Sequence, residues 1–300
     1  MRSFDTLPFA SSADQFTWAE AKNDKGGGGG KPSGTPGGDT GGGGGDTVSY
    51  TYTSGLADDL TTDYFNIEVN YMGEGWTLDS LSAIAAAADY LSRLITAGLP
   101  EDEGIDDVSI NVSLSSIDTL GGTIAQGRPL SVRSSDNATP DGLTVTGEII
   151  FDSNDVDLIL ANESLDDLAL HEMMHVLGVG TLWSVPGVRD FLSDPVFVPD
   201  LSTKNPKDGT TIIEYTGGAV DDTGALPQVE TEGSLGHWSE DAYGDELMTT
   251  VFNINGNYMS QMTADALADL GYAVDDAVAA ELASAIDLGG IYTLDDFAIA

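Results

Sequence analysis

The chain has 300 residues, of which 41% are hydrophobic, enough to build a sizeable core. Fifty acidic residues against ten basic ones give a formal net charge of −40. Such a surface repels nucleic-acid phosphates and anionic lipid headgroups, so neither is expected as a partner, and it favours a monomer. The chain contains no cysteine, which excludes disulfides, thiolate metal sites and cysteine nucleophiles.

The acidic side chains allow two interpretations. They form a solvated surface, as in proteins exposed to seawater or brine, or they include specific calcium sites, which makes calcium a candidate cofactor. No run of about eighteen apolar residues occurs, so no membrane insertion is predicted. The first residues also lack the apolar stretch of a conventional signal peptide.

Glycine dominates the first part of the chain. Residues 24–46 form a low-complexity segment that cannot bury enough surface to offset the entropy lost on ordering. We therefore predict a flexible N-terminal segment over residues 1–47 and a folded part that begins near Val48.

Three segments are predicted to form strands. Residues 64–73 and 108–114 alternate apolar and polar side chains, as half-buried strands do. Residues 143–152 supply one or two more strands after a turn-rich stretch. The residues predicted to face inward are Phe65, Ile67, Val69 and Tyr71 in the first segment, and Val108, Ile110, Val112 and Leu114 in the second.

Between the first two strands, apolar residues recur at helical spacing. Thr77 is a suitable N-cap for this helix, and Gly98 and Pro100 are expected to end it. Towards the C-terminus, further helices are predicted over residues 263–270 and 275–286.

The order of these elements favours an α+β fold, with a twisted mixed sheet and two long helices. Residues 181–236 are rich in Pro, Gly, Asp and Thr, which is typical of loops and short strands. We therefore divide the folded part into an N-terminal subdomain (48–180), a loop-rich C-terminal subdomain (181–275), and a terminal helix and tail (276–300).

The segment HEMMHVLGVG occupies residues 171–180. Ser164 followed by Asp167 matches an N-terminal capping signature, which predicts a helix that begins there and continues through Leu177. Gly178 then lets the backbone turn sharply where the helix ends.

On this helix, His171 and His175 lie one turn apart on the same face, so both imidazoles can bind a single zinc ion. Glu172 is one position round the helix, too far to bind the ion comfortably but close enough to act as a base towards water. The alternative is an ordinary polar helix face.

A catalytic zinc site needs three protein ligands and one open position. In the compact form of this motif the third histidine would stand where this chain has Thr181. The chain's remaining histidine, His237, is therefore the predicted third ligand, with an exposed loop residue as the alternative. A second possibility is an acidic third ligand such as Asp190 or Glu214, although no convincing helix presents either one.

The segments HEMMHVLGVGTLW and GHWSEDAYGDELMT resemble the extended zinc motif of the metzincin clan. The delayed histidine is similar to that of leishmanolysin-like zinc metalloproteases, particularly their bacterial members. The resemblance implies a two-subdomain zinc protease, with a substrate cleft beneath an edge strand that binds peptide by strand addition. It also implies that Met248 lies in a tight turn beneath the zinc, whereas the alternative is an ordinary core methionine. Eukaryotic members carry many disulfides, which this chain lacks.

The resemblance implies a secreted zinc endopeptidase that acts on protein or peptide substrates. A zinc-activated water would attack the peptide bond, with Glu172 as general base. Other classes stay open: a non-catalytic metal-binding module of the same fold, a metal-dependent hydrolase of other bonds, and an acidic adhesive extracellular protein. An intact Glu172 argues against a purely structural metal site, because such a site needs no base.

The C-terminal sequence YTLDDFAIA resembles the uncleaved export signal of proteins secreted by the type I route. The alternative is that Leu294 and Phe297 pack a terminal segment against the fold. Both interpretations are compatible with the sequence.

Overall fold

A computed structural model gives the structure of most of the chain. Nearly all of the predicted flexible segment 1–47 lies outside the described part. The described residues are 2–3, 47–56, 63–133, 142–185, 189–203, 205, 207–231 and 235–299.

Within these ranges the chain forms thirteen strands, most of them short. They are β1 (Arg2–Ser3), β2 (Val48–Thr53), β3 (Ile67–Met72), β4 (Val108–Ser115), β5 (Ala125–Val132), β6 (Thr144–Asp152), β7 (Ser184–Val185), β8 (Arg189–Asp190), β9 (Val196–Pro199), β10 (Gly209–Glu214), β11 (Gln228–Val229), β12 (Val251–Phe252) and β13 (Ala298–Ile299).

Two long helices and four shorter ones complete the described part of the chain, and none of them is both long and apolar enough to cross a membrane. The α-helices are α1 (Leu78–Leu94), α2 (Val156–Leu160), α3 (Leu165–Leu177), α4 (Glu240–Tyr243), α5 (Gln261–Leu270) and α6 (Asp276–Ala279), with short 3-10 helices at Ala280–Leu282 and Leu294–Asp296.

The largest sheet has six strands in the order β13-β2-β3-β4-β6-β5. Strands β3, β4 and β6 are parallel, whereas β2, β5 and β13 pair antiparallel with their neighbours. The crossover from β3 to β4 runs through α1, the usual way of joining adjacent parallel strands. The mixed sheet and the helices agree with the predicted α+β class.

Both long helices pack on the sheet and on each other. The alternation predicted for the first two strands is confirmed for all its inward residues except Leu114, which is half-buried. Helix α3 approaches β6 closely at Gly147, where an added Cβ would overlap the side chain of Val176. This close approach holds the histidine-bearing helix directly against the sheet.

Strand β5 was not predicted, because its sequence AQGRPLSV contains Gly127 and Pro129, residues that usually interrupt strands. The structure accommodates both because β5 is at the end of the sheet and pairs with β6 alone among the described strands. The register shifts next to Pro129, so the missing N–H causes no break in the sheet. The edge strand lies beside α3.

Helix α1 begins as predicted but ends earlier than predicted. Thr77 caps it in a capping box with Ser80. The helix ends at Leu94, before Gly98, because Ile95 forms a β-bridge with Val274. Pairing with a distant segment therefore ends the helix.

The two predicted C-terminal helices differ from the prediction in length. Helix α5 begins two residues early, at Gln261, because the Ser260 hydroxyl accepts a hydrogen bond from the backbone of Thr263. The helix predicted over 275–286 ends much earlier. It consists of α6 and one 3-10 turn that ends at Leu282.

Helix α3 has the predicted limits, but the predicted capping interaction is wrong. Ser164 is the N-cap residue, yet its hydroxyl donates to the carbonyl of Ile159 instead of accepting from the helix. The carboxylate of Asp167 is buried and accepts two hydrogen bonds from Asn257, 2.9 Å from its side-chain amide and 3.2 Å from its backbone nitrogen. These bonds tie α3 to the C-terminal half of the chain.

The buried Asp167 should make stability depend on pH. Burial raises its pKa from 3.8 to about 7, so the folded state takes up a proton that the unfolded state releases. The free energy of unfolding therefore falls as the pH rises from about 4 to about 7. In Asp167→Asn the side-chain oxygen can still accept from Asn257, but the charge is absent. The free energy of unfolding of the variant, relative to that of the native chain, should be higher at about pH 8 than at about pH 5, as measured by urea unfolding. An equal difference at both pH values would contradict this.

Candidate metal centre

The three histidines of the chain come together in the structure. Helix α3 places His171 and His175 on one face, with ring centroids 4.6 Å apart. His237, in the loop between β11 and α4, brings its ring centroid to 5.4 Å from the first and 4.8 Å from the second. One ring nitrogen from each residue lies within 4.8 Å of the others. The structure thus forms the histidine cluster that the sequence predicts.

Backbone carbonyls fix the protonation of two of the rings. His171 Nδ1 donates to the carbonyl of Leu247 at 2.6 Å, and His175 Nδ1 donates to that of Val179 at 2.9 Å. Because a carbonyl can only accept, the proton of each neutral ring resides on Nδ1 and the lone pair on Nε2. This is the tautomer in which Nε2 binds a metal ion.

The cluster is excluded from water. The three rings are at most 2% exposed. Burial, followed by the neighbouring rings of His175 and His237, holds the pKa of His171 well below its usual range, and burial with His175 does the same for His237. These rings are therefore neutral near pH 7, which is the state that binds metal.

The spacing suits a small tetrahedral ion. Two nitrogens that are each 2.0–2.1 Å from such an ion lie about 3.3 Å apart. The Nε2 atoms of His175 and His237 are separated by 3.1 Å. This separation matches that of two ligands of one metal ion, and the carbonyls that bind Nδ1 of His171 and His175 already orient their Nε2 atoms for binding.

Glu172 is fully buried beside the cluster and is not among its ligands. Its neighbour is the edge strand: a Cβ at Gly127 would overlap the Glu172 carbonyl and lie 2.9 Å from Oε2 of the carboxylate. Only glycine lets the backbone of β5 pass this close to the helix. Sequence reasoning missed Gly127, because a glycine in an apparent loop carries no signal of such a contact.

Helix α3 ends at Gly178, and the chain leaves the site there before a later loop brings in the third histidine. Gly178 adopts φ 111° at the helix C-cap, a left-handed conformation that favours glycine. Thr181, which stands where the compact motif has its third histidine, donates its hydroxyl to the carbonyl of His175. The chain then returns to the site through a separate loop that carries His237.

Met248 lies in a turn next to the cluster. It is fully buried, and its carbonyl accepts a hydrogen bond from the backbone of Trp238 at 2.9 Å. The preceding residue, Leu247, provides the carbonyl that orients His171. The turn therefore accepts hydrogen bonds from His171 and from Trp238, the residue after His237.

The alternative third ligands are not part of this group. Asp190 is exposed in β8 and Glu214 half-buried in β10. Within the described residues, the ligand group around His171 contains histidines alone.

A second group of possible metal ligands joins the carboxylates of Asp118, Asp152 and Asp155. Backbone amides donate to all three of them, for example Gly121 N to Asp155 and Thr123 N to Asp118 at 2.9 Å. Such bonds stabilise carboxylates without any cation. Calcium binding therefore stays a prediction.

Comparison with known proteins adds no further information on this site. No protein-family model matches the chain, and no curated protein matches it.

The position of His237 should depend on Gly180. This residue has φ +79°, and an added Cβ would overlap the carbonyl of Gly236, next to His237. Gly180→Ala should displace that loop and weaken metal binding by the histidine cluster, with zinc as the test ion, by about tenfold or more. Gly224→Ala is a matched control, because Gly224 has φ +80° but no atom within 4 Å of an added Cβ.

Both variants should lose similar stability from backbone strain, about 1–2 kcal/mol. Zinc affinity, measured by competition with a chromophoric chelator, should separate them. Equal affinities in the two variants would show that contact with Gly236 does not position the third histidine.

Proposed function

We propose that this protein is a zinc-dependent endopeptidase of the leishmanolysin-like, metzincin type. The observation that carries the proposal is the convergence of three buried histidines, with a buried glutamate beside them. The proposal draws further support from the helix that carries His171 and His175, and from the position of His237 and Met248 in a separate, later part of the chain.

Zinc is the metal that this donor set favours. Three neutral imidazoles without a carboxylate are typical of catalytic zinc, whereas magnesium and calcium prefer oxygen ligands. When bound, zinc supplies a Lewis acid that polarises a carbonyl and lowers the pKa of water towards about 7. Nδ1 of two rings donates to backbone carbonyls, an arrangement that orients metal-binding histidines.

Glu172 is the general base of the proposed reaction. It takes a proton from the attacking water and passes it to the leaving amine, so no covalent intermediate with the protein forms. Its carboxylate is excluded from bulk water, which strengthens its interaction with a reacting water molecule. Glu172 directly follows His171 on α3, the helix that also carries His175. The helix therefore fixes the position of Glu172 relative to the two rings.

The substrate would bind along β5. This strand has one edge with no strand partner in the described part of the sheet, and an extended peptide can add to such an edge through main-chain hydrogen bonds. The backbone at Gly127 already lies against Glu172. A peptide added to β5 would therefore run past the proposed base, which supports hydrolysis of internal peptide bonds.

Secretion is part of the proposal, since a cysteine-free, acid-rich protease suits an extracellular environment. The C-terminal segment is packed in the structure: Phe297 is 3% exposed and contacts Tyr52 and Tyr71, although Leu294 is 56% exposed. This packing favours a structural role for the segment. A type I export signal stays a prediction.

Replacing Glu172 with alanine or glutamine should abolish proteolysis and leave zinc bound. General acid–base catalysis contributes about 10²–10⁴-fold, so the rate of digestion of an unfolded protein should fall by at least that factor. Asp157→Ala, which removes an exposed carboxylate on α2, serves as the control and should keep full activity. A Glu172 variant with native activity would exclude this residue as the base.

Replacing His237 with alanine should reduce zinc affinity sharply. The loss should exceed the roughly 10–100-fold that is typical of losing an outer hydrogen-bond partner, because a direct ligand is removed. Zinc content after dialysis against a weak chelator measures the effect, with Asp190→Ala and Glu214→Ala as controls that should retain the metal. Unchanged zinc in His237→Ala, with loss in either control, would identify an acidic third ligand.

A further inference from the structure

Glu246 is a buried carboxylate to which the proposed mechanism gives no role. It is 1% exposed and accepts four hydrogen bonds. Oε2 accepts from Met248 N at 2.6 Å, and Oε1 accepts from Ser260 N, Ser260 Oγ and Thr263 Oγ1 at 3.1, 2.8 and 2.5 Å. Every partner is a donor, which matches a carboxylate and no other side chain of this size.

The hydrogen bond from Met248 N to Glu246 shapes the turn beside the histidines. The bond from Met248 N to Glu246 closes the turn across one residue, Leu247. The carbonyl of Leu247 then accepts from His171 Nδ1, and the carbonyl of Met248 accepts from Trp238 N. Two consecutive carbonyls of the turn thus reach two different metal-binding segments.

The hydrogen bond from Thr263 connects the Glu246 carboxylate to Trp238, the residue that follows the third histidine. The indole Nε1 of Trp238 donates to Thr263 Oγ1 at 2.8 Å, and the same hydroxyl donates to Glu246. Trp238 directly follows His237. Its ring is fully buried and lies on Trp183, with centroids 4.5 Å apart.

This connection is important because His237 is held differently from the other two ligands. No described residue accepts or donates a hydrogen bond at its Nδ1, whereas the rings of His171 and His175 are each oriented by a carbonyl. The position of His237 therefore depends on its backbone and on its neighbour Trp238.

We propose that Glu246 is a positioning residue of the metal centre, which fixes the turn that orients His171 and the tryptophan that places His237. The inference rests on the proposed metal site but not on proteolysis. Its chemistry is that of an outer hydrogen-bond partner, which limits the freedom of ligands in the metal-free protein and so favours binding.

Glu246→Gln tests this inference with almost no change in volume. An amide has one acceptor and one donor end, so in either orientation its NH2 group faces a backbone N–H, that of Met248 or that of Ser260. Zinc affinity should fall by about 10–100-fold. With cobalt(II) in place of zinc, the visible absorption bands of the site should shift, because they report the geometry of the ligands.

Asp107→Asn is the matched control. Asp107 is also 1% exposed and accepts from two backbone amides, those of Asn66 and Leu99, so the substitution creates the same kind of mismatch. Both variants should unfold at a lower temperature in the metal-free state. The control should nevertheless bind zinc with native affinity and give the native cobalt spectrum. A purely structural Glu246 would behave like this control.

A second pair of variants keeps the test informative if Glu246→Gln does not fold. Thr263→Val removes the hydroxyl between Trp238 and Glu246, whereas Thr263→Ser retains it. The valine variant should bind zinc more weakly and the serine variant should bind it nearly as the native chain does. Equal zinc affinities in these two variants would overturn the role of the Trp238 connection.

The outcomes for Glu246 and for the proposed function are distinguishable. If the native chain binds one zinc but cleaves no protein, the endopeptidase proposal fails and the positioning role is still decided by the metal titrations. If Glu246→Gln folds and binds zinc and cobalt as the native chain does, the positioning role is wrong. If the native chain binds no zinc at all, both proposals are overturned.

Discussion

Three imidazole rings share a space from which water is excluded, and burial at such short distances favours their neutral form. Two backbone carbonyls fix the proton of His171 and of His175 on Nδ1. With the proton of each ring held on Nδ1, Nε2 presents the lone pair through which a divalent cation can be bound. The role of every other residue at the site depends on this arrangement.

The fold achieves this arrangement by joining distant parts of the chain. Helix α3 is held against the sheet by the close approach at Gly147 and is tied to the C-terminal half through Asp167 and Asn257. The C-terminal half contributes the loop that carries His237 and the turn that contains Met248, and both lie beside the histidines of α3. The edge strand β5 passes directly against Glu172 at Gly127, so the proposed base adjoins the proposed substrate strand.

Much of the site was predictable from local sequence. The spacing of His171 and His175 fixes their common helix face, and a chain with three histidines leaves a single candidate for the third ligand. The end of α3 at Gly178 and the N-cap of α1 also follow from short-range signals.

The remaining features depend on contacts that local sequence does not encode. Helix α1 ends where Ile95 pairs with Val274, about 180 residues away. Strand β5 resembles a loop because it contains Gly127 and Pro129, and it is a strand because the sheet edge tolerates both. Glu246 is indistinguishable in the sequence from the other acidic residues until its burial is known.

X-ray absorption spectroscopy of the zinc-loaded protein decides whether the three histidines bind the metal together, because it measures the ligands of the metal itself. One tightly bound zinc with three imidazole nitrogens at about 2.0–2.1 Å is expected. A zinc surrounded mainly by carboxylate and water oxygens, or one with fewer than three imidazoles, would show that the three rings do not form a single metal site.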